Sequence, residues 1–322
     1  IKLALIPFVC LLSTIFSITV PIFNNNSDYL IIVILGSISQ GLCPIWYFQG
    51  KRNMKIISIS KIVFRSLGFL LIFLYVDSSD DGWIVLGSLS LSSIFIGLFL
   101  FFAMINETGT FRITFSKKTK EIFLKSNLSF FITIIPIIYQ NISVIILSLF
   151  VSPLQLGLYY GANRIYRAFN SLYGPLSQAF FPIISSFEKK HKKLAWFVTK
   201  KYFLSMTILG VLFFLIIYFK SDYAISVLLG NQFSGSNDIL TIFAFVLPLT
   251  AISNSIGRQW LMYINKDLFY AISQLASSII AFTLFLFLVQ IYGIFAMPIS
   301  LIVFEAISII IISLFLIKNF DD

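Results

Sequence analysis

Apolar residues run along this chain in blocks of membrane length, separated by short polar or basic connections. A helix rises 1.5 Å per residue, so about 20 predominantly apolar residues cross the hydrocarbon core of a bilayer. Ten stretches meet that length: Leu3–Phe23, Tyr29–Phe48, Ile56–Val76, Trp83–Met104, Asn127–Val151, Leu156–Ser186, Phe203–Phe219, Ile239–Tyr263, Leu268–Ile291 and Ile294–Ile317. The pattern predicts an all-α integral membrane protein with ten transmembrane helices.

Polar positions inside the spans are periodic rather than scattered. In the sixth span Tyr160, Arg164, Arg167, Ser171, Gly174 and Gln178 recur at alternating steps of four and three, which places them on one helix face. In the fifth, Ser126, Ser129, Thr133, Pro136, Gln140 and Ser143 do the same. Two consecutive polar faces would be costly against lipid, so they are expected to line a shared aqueous interior. Small and polar residues also join membrane helices to one another, and for the Ser and Thr positions the two readings stay open. Pro44, Pro136, Pro175, Pro182, Pro248 and Pro298 all fall within spans and mark expected bends.

Composition confirms the medium. The chain is 58% hydrophobic and 11% charged with a mean hydropathy of +0.96, which excludes a soluble domain of 322 residues. The net charge of +10 has a topological origin. Seventeen cations lie in connections on one side: Lys2, Lys51, Arg52, Lys55, Arg112, Lys117, Lys118, Lys120, Lys125, Lys189, Lys190, Lys192, Lys193, Lys200, Lys201, Lys266 and Lys318. The other side has Lys220. Short cytoplasmic loops collect Lys and Arg, so both chain ends are expected in the cytoplasm. No nucleic-acid partner is implied. Cys10 and Cys43 lie inside spans without paired spacing, and the one histidine, His191, sits in a basic loop, so neither a metal nor a cofactor site is expected.

The longest cytoplasmic connection separates four spans from six. It predicts an N-terminal four-helix portion over 1–104, an amphipathic cytoplasmic linker over 105–126 and a six-helix portion over 127–322. Phe111, Ile113, Phe115, Ile122 and Phe123 supply the linker's apolar side, although an ordinary basic loop fits as well. If two similar six-helix halves build the molecule, as internal repeats often do, two spans are missing ahead of Ile1, and a start at Ile rather than Met is what such a truncation leaves.

The intramembrane charges carry the candidate chemistry. A guanidinium at the bilayer centre costs at least about 2.5–3.5 kcal/mol, so it persists where it is paired, faces water or meets an anion. Arg164 and Arg167 meet that condition on one face of one helix. Arg65 lies deep in the third span, four residues beyond Lys61, which is shallow enough to snorkel. Arg258 lies near the end of its span, with Thr250 and Asn254 continuing a polar face towards it. Five cations (Lys61, Arg65, Arg164, Arg167 and Arg258) stand against a single intramembrane carboxylate, Glu305. Internal pairing cannot satisfy that excess, so an anionic ligand is expected. Glu305 is a candidate for coupling to an ion, or for a structural bridge to one arginine.

Two stretches, GLCPIWYFQGKRNM at Gly41–Met54 and GLYYGANRIYRAFNSLYGPLSQAFFPIISS at Gly157–Ser186, and the basic loop that follows resemble the polysaccharide transporter family, the Wzx-type O-antigen flippases of the MOP (multidrug, oligosaccharidyl-lipid, polysaccharide) superfamily. The resemblance implies a two-lobed twelve-helix fold around a central cavity, lacking its first two helices here. It implies a transporter, not an enzyme: a flippase moving undecaprenyl-pyrophosphate-linked oligosaccharide across the bacterial inner membrane by alternating access, amid membrane lipids and alongside a polysaccharide polymerase and chain-length regulator. Arg164 and Arg167 would hold phosphate oxygens, Arg65 would face them from the other lobe, and Gln140, Tyr160, Gln178, Asn254 and Arg258 would complete the cavity. Tyr159, Tyr166 and Tyr173 would also contact sugar. Two rivals share the helical pattern. A membrane polymerase or glycosyl-transfer enzyme would present a large loop with acids, and the external segment 220–238 offers Asp222 and Asp238. A MATE-like exporter of cationic cargo would want intramembrane carboxylates rather than excess arginine.

Overall fold

The computed structural model describes residues 27–51, 53–78, 81–109, 117–187 and 192–318, together with Pro7, Leu11 and Thr14. For 117–133, and for Gln178 and some other positions, it describes the backbone alone. The described chain is all-α. Its elements are α1 (Ser27–Leu42), α2 (Ile45–Gly50), α3 (Met54–Tyr75), α4 (Gly82–Thr108), α5 (Lys117–Phe150), α6 (Pro153–Ser171), α7 (Tyr173–Ser185), α8 (Lys192–Leu228), a 3-10 turn (Asn231–Ser236), α9 (Asn237–Ser253), a π-type segment (Asn254–Leu261), α10 (Asp267–Tyr292), a second 3-10 turn (Gly293–Phe295) and α11 (Ala296–Lys318).

Among the described residues, five stretches are long and apolar enough to cross a membrane: Met54–Tyr75, Gly82–Thr108, Leu194–Leu228, Asn231–Leu261 and Asp267–Lys318. The last contains both α10 and α11. Ile134–Phe150 is a shorter apolar helical stretch. The protein is therefore a multi-pass membrane protein. The first expected span, Leu3–Phe23, lies outside the described residues, so ten remains an expectation from hydropathy.

Several expected spans are interrupted where proline removes a backbone donor. The second breaks at Cys43–Pro44, between α1 and α2. The sixth divides at Leu172 into α6 and α7; Pro175 has no N–H for the Ser171 carbonyl, and the Leu172 N–H turns back to the Phe169 carbonyl at 3.1 Å. The polar face drawn from Tyr160 to Gln178 as one helix is thus two pieces. The eighth span changes to wider π-type turns at Asn254. Its i→i+5 bonding ends the four-residue register that was expected to align Thr250, Asn254 and Arg258. α8 kinks at Lys220, whose φ of −128° and ψ of 19° are not helical.

From the connection expected over 105–126, residues 105–108 extend α4 and residues 117–126 open α5. Residues 110–116, with Phe111, Ile113 and Phe115, lie outside the described residues.

The chain forms two compact units, Ile1–Leu124 and Lys125–Asp322. In the first, α4 packs against α1 and α3 through small residues. A Cβ on Gly97 would sit 2.9 Å from Ser39 Oγ, and one on Gly68 would sit 3.1 Å from the Ser88 carbonyl oxygen. Lipid gives helices no hydrophobic reason to associate, so such close backbone approach and polar contacts hold them. Ser39 Oγ donates to the Ser93 carbonyl at 3.1 Å, and Gln40 Nε2 donates to Ser93 Oγ at 3.2 Å. Phe48, Ile57, Ile96 and Leu100 form its apolar centre.

In the second unit α9 is the central helix, packed against α6, α8 and α11, while α10 lies on α11. Tyr159, Tyr166, Phe243, Leu247, Phe285 and Phe304 belong to one buried cluster. The crossing of α8 and α9 depends on Gly210, where a Cβ would come within 2.8 Å of Pro248 Cα.

Candidate functional site

The start of α6 is built by local sequence. Ser152 accepts from the Gln155 N–H, the Gln155 side chain accepts from the Ser152 N–H, and Pro153 occupies the first turn. A cap of this kind is worth about 1 kcal/mol. The helix then has two unlike faces. Tyr159, Gly161, Ala162, Asn163, Ile165 and Tyr166 are buried. Tyr160, Arg164, Arg167 and Ser171 are exposed.

Neither arginine has a carboxylate within ion-pair reach among the described residues. Arg167 Nε donates to Asn163 Oδ1 at 3.3 Å, one turn earlier on the same helix. Both side chains are exposed on one face of α6. Ser171 turns its hydroxyl back to the Ala168 carbonyl at 2.7 Å.

The tyrosines divide sharply. Tyr160 is 50% exposed, whereas Tyr159, Tyr166 and Tyr173 are buried core residues and not free to contact a sugar. Tyr166 stacks on Phe243 with ring centroids 4.8 Å apart, Tyr159 packs on the same ring, and the Tyr173 hydroxyl donates to the Leu247 carbonyl at 3.1 Å. Aromatic bulk won those positions for packing.

On α5, Gln140 is half-buried. Ser143 is fully buried and donates to the Tyr139 carbonyl at 2.8 Å, which favours helix packing at that position. The side chains of Ser126, Ser129, Thr133 and Gln178 lie outside the described residues. Asn254 is half-buried and Arg258 exposed, both on the π-type segment. Thr250 leaves that set and belongs to another. In the first unit Lys61 and Arg65 are exposed on α3, as are their apolar neighbours Ile62, Leu67 and Phe69, so exposure there selects no face.

Glu305 is buried in α11 and accepts hydrogen bonds from two hydroxyls of α9, Thr250 Oγ1 at 2.9 Å and Ser253 Oγ. Among the described residues no arginine pairs with it, so the structural bridge to an arginine is not formed there. Two neutral donors satisfy a carboxylate's geometry without cancelling its charge.

The sequence did not single out Asn163, Ser253 or a cluster in the first unit. There Glu107 Oε2 accepts from Lys51 Nζ at 2.7 Å and from the Tyr47 hydroxyl at 3.0 Å. The hydrogen bond to Glu107 raises the Lys51 pKa above its ordinary value. Tyr47 and Lys51 come from the CPIWYFQGK stretch, so part of that motif fastens α2 to the end of α4. An exposed pair of this kind adds little stability. No group of metal-ligating side chains assembles among the described residues.

These features define an all-α, multi-pass membrane protein with two arginines exposed on the first of a broken pair of helices. The model of the family described as "Polysaccharide biosynthesis protein" matches residues 1–188, more than half of the 322, and the chain belongs to that family. It is 25% identical over 265 residues to a protein of Escherichia coli (strain K12) named "Putative O-antigen transporter", covering 82% of this chain and 64% of that one. A Shigella dysenteriae protein of the same name is 25% identical over 283 residues, covering 87% of this chain and 69% of that one. The match thus spans somewhat less than two thirds of the E. coli relative's length. No solved structure matches the chain.

Proposed function

We propose that the full-length protein is a flippase that carries an undecaprenyl-pyrophosphate-linked oligosaccharide, an O-antigen or related repeat unit, across the bacterial inner membrane. The observation that carries this reading is the exposed pair Arg164 and Arg167, which has no carboxylate in ion-pair reach among the described residues. A pyrophosphate is the kind of group such a pair fits, because a planar guanidinium makes two parallel charge-assisted bonds to phosphate oxygens. The names of the two relatives support transport over catalysis.

In this reading the sugar and pyrophosphate occupy a polar cavity while the polyprenyl tail stays in lipid. Gln140, Asn254 and Arg258 contribute to the cavity wall, and Tyr160 offers an exposed ring to the sugar. Transport proceeds by alternating access, with the site open first to the inside and then to the outside. Glu305 couples the cycle to an ion: it is buried with no cation paired to it among the described residues, so gaining or losing a positive charge there changes the balance between states. Both ends of the chain lie in the cytoplasm, and a polymerase and chain-length regulator take the exported unit.

The experiment is reconstitution of the full-length protein in liposomes with a short lipid-linked oligosaccharide in the inner leaflet. Appearance of the sugar at the outer face without elongation supports the reading. Elongation or glycosyl transfer, with no change of leaflet, overturns it.

A further inference from the structure

Arg167 does not present its whole guanidinium to the exposed face. Its Nε–H is taken by Asn163 Oδ1 at 3.3 Å, and Asn163 itself is only 6% exposed, set into the side of α6 that packs on α9. An arginine has five N–H donors in a rigid fork. Fixing Nε–H leaves the two terminal nitrogens and fixes the plane in which they lie. A side chain with four rotatable bonds otherwise loses much of its binding energy to ordering.

The chemistry of the holder matters as much as its place. An Asp or Glu in the same position would orient the arginine and also neutralise it. An amide accepts the same hydrogen bond and leaves the charge intact. Arg164, one turn beyond Tyr160 on the exposed face and three residues before Arg167, has no ion-pair partner among the described residues either, so the face keeps both charges.

We infer that Asn163 is a positioning residue that holds the Arg167 guanidinium, uncancelled, in the plane needed for bidentate contact with a diphosphate. This rests on the anion-site reading above, and deepens it: the oriented fork meets two oxygens of one phosphate at once, while Arg164 beside it favours a diphosphate, with its second phosphate and greater charge, over a monophosphate ester.

The test is binding of farnesyl pyrophosphate and farnesyl monophosphate to the full-length protein in nanodiscs, with melting temperature measured on the same samples. Asn163→Ala frees the fork, so the pyrophosphate and the monophosphate should both bind about tenfold more weakly. Asn163→Asp keeps an acceptor of the same shape but adds a negative charge, and both ligands should weaken more than in Asn163→Ala. The double variant Asn163→Ala with Arg167→Ala should bind no worse than Arg167→Ala alone, because Asn163 acts through Arg167. Wild-type binding by both Asn163 variants, alongside weakened binding by Arg167→Ala, overturns the positioning role and leaves the anion site standing. Unchanged binding by Arg167→Ala overturns the anion site itself. Additive losses that track a lowered melting temperature make Asn163 a packing residue and overturn the inference.

Discussion

Thr250 on α9 donates its hydroxyl to Glu305 on α11 at 2.9 Å, tying the central helix of the second unit to the last helix through a buried carboxylate. Ser253, three residues on, takes the other carboxylate oxygen. Both of its donors among the described residues are neutral, and a carboxylate that carries charge in such a setting is costly to keep, since desolvation is not offset by an opposite charge.

Glu305→Gln keeps the size of the side chain and one acceptor while removing the charge. Normal membrane abundance is expected, with transport that no longer responds to an imposed proton or sodium gradient. Quantitative blotting beside liposome transport checks this; loss of the protein at unchanged specific transport makes Glu305 a structural residue.

Gly210 marks a close approach of α8 to α9, with Pro248 Cα 2.8 Å from where a Cβ would stand. A backbone neighbour cannot rotate away, so Gly210→Ala forces the helices apart. Overpacking of this kind costs about 1–3 kcal/mol. The melting temperature in detergent should fall, and Gly157→Ala, where a Cβ meets nothing within 4 Å, should not lower it.

The five long apolar stretches among the described residues were legible because membrane crossing needs length and apolarity, two properties that a sequence displays directly. The exposed face of α6 was legible for a related reason: four- and three-residue steps survive as long as the helix is regular, and from Tyr160 to Ser171 it is. What was not legible depended on irregular backbone and on partners remote in sequence. The turn at Leu172 and the π-type segment at Asn254 reset the periodicity, and nothing in composition separates a tyrosine that stacks on Phe243 from one left exposed. Glu305 stood out as a lone acid, but its hydroxyl donors came from a helix 52 to 55 residues away. Asn163 was hidden because a polar side chain one turn from an arginine has no signature until its burial is known.

Asp81 accepts at Oδ2 from the Asp77 and Ser78 N–H groups and from the Ser78 hydroxyl, at 3.1, 2.8 and 2.9 Å. Hydrogen bonds from the Ser78 N–H and hydroxyl, and then from Asp77, lower its pKa below the ordinary 3.8. A lowered folded-state pKa means the turn is supported at all pH above the ordinary value and loses that support as pH falls through the lower one. Amide protection at Asp77 and Ser78 should therefore hold from neutral pH to about pH 4 and vanish in stronger acid. Asp81→Asn should lack that pH dependence.

The charge alternation predicts sidedness. Single cysteines at Asn25, Ser79 and Gly235 should react with an impermeant maleimide in intact cells, whereas those at Asn53, Thr119 and His191 should react only after permeabilisation. One exchanged pair contradicts the arrangement.

The central claim is that Arg164 and Arg167 recognise the anionic head of a lipid-linked sugar rather than maintain the fold. The direct measurement is surface polysaccharide in cells whose own gene for this protein is replaced by Arg164→Ala or Arg167→Ala of the full-length protein, with membrane abundance measured in parallel. Each substitution removes a charge-assisted contact of about 1.5–3 kcal/mol. Both should abolish surface polysaccharide at normal abundance, and lysine at either position should restore part of it by keeping the charge without the fork. Wild-type polysaccharide in both alanine variants would contradict the account.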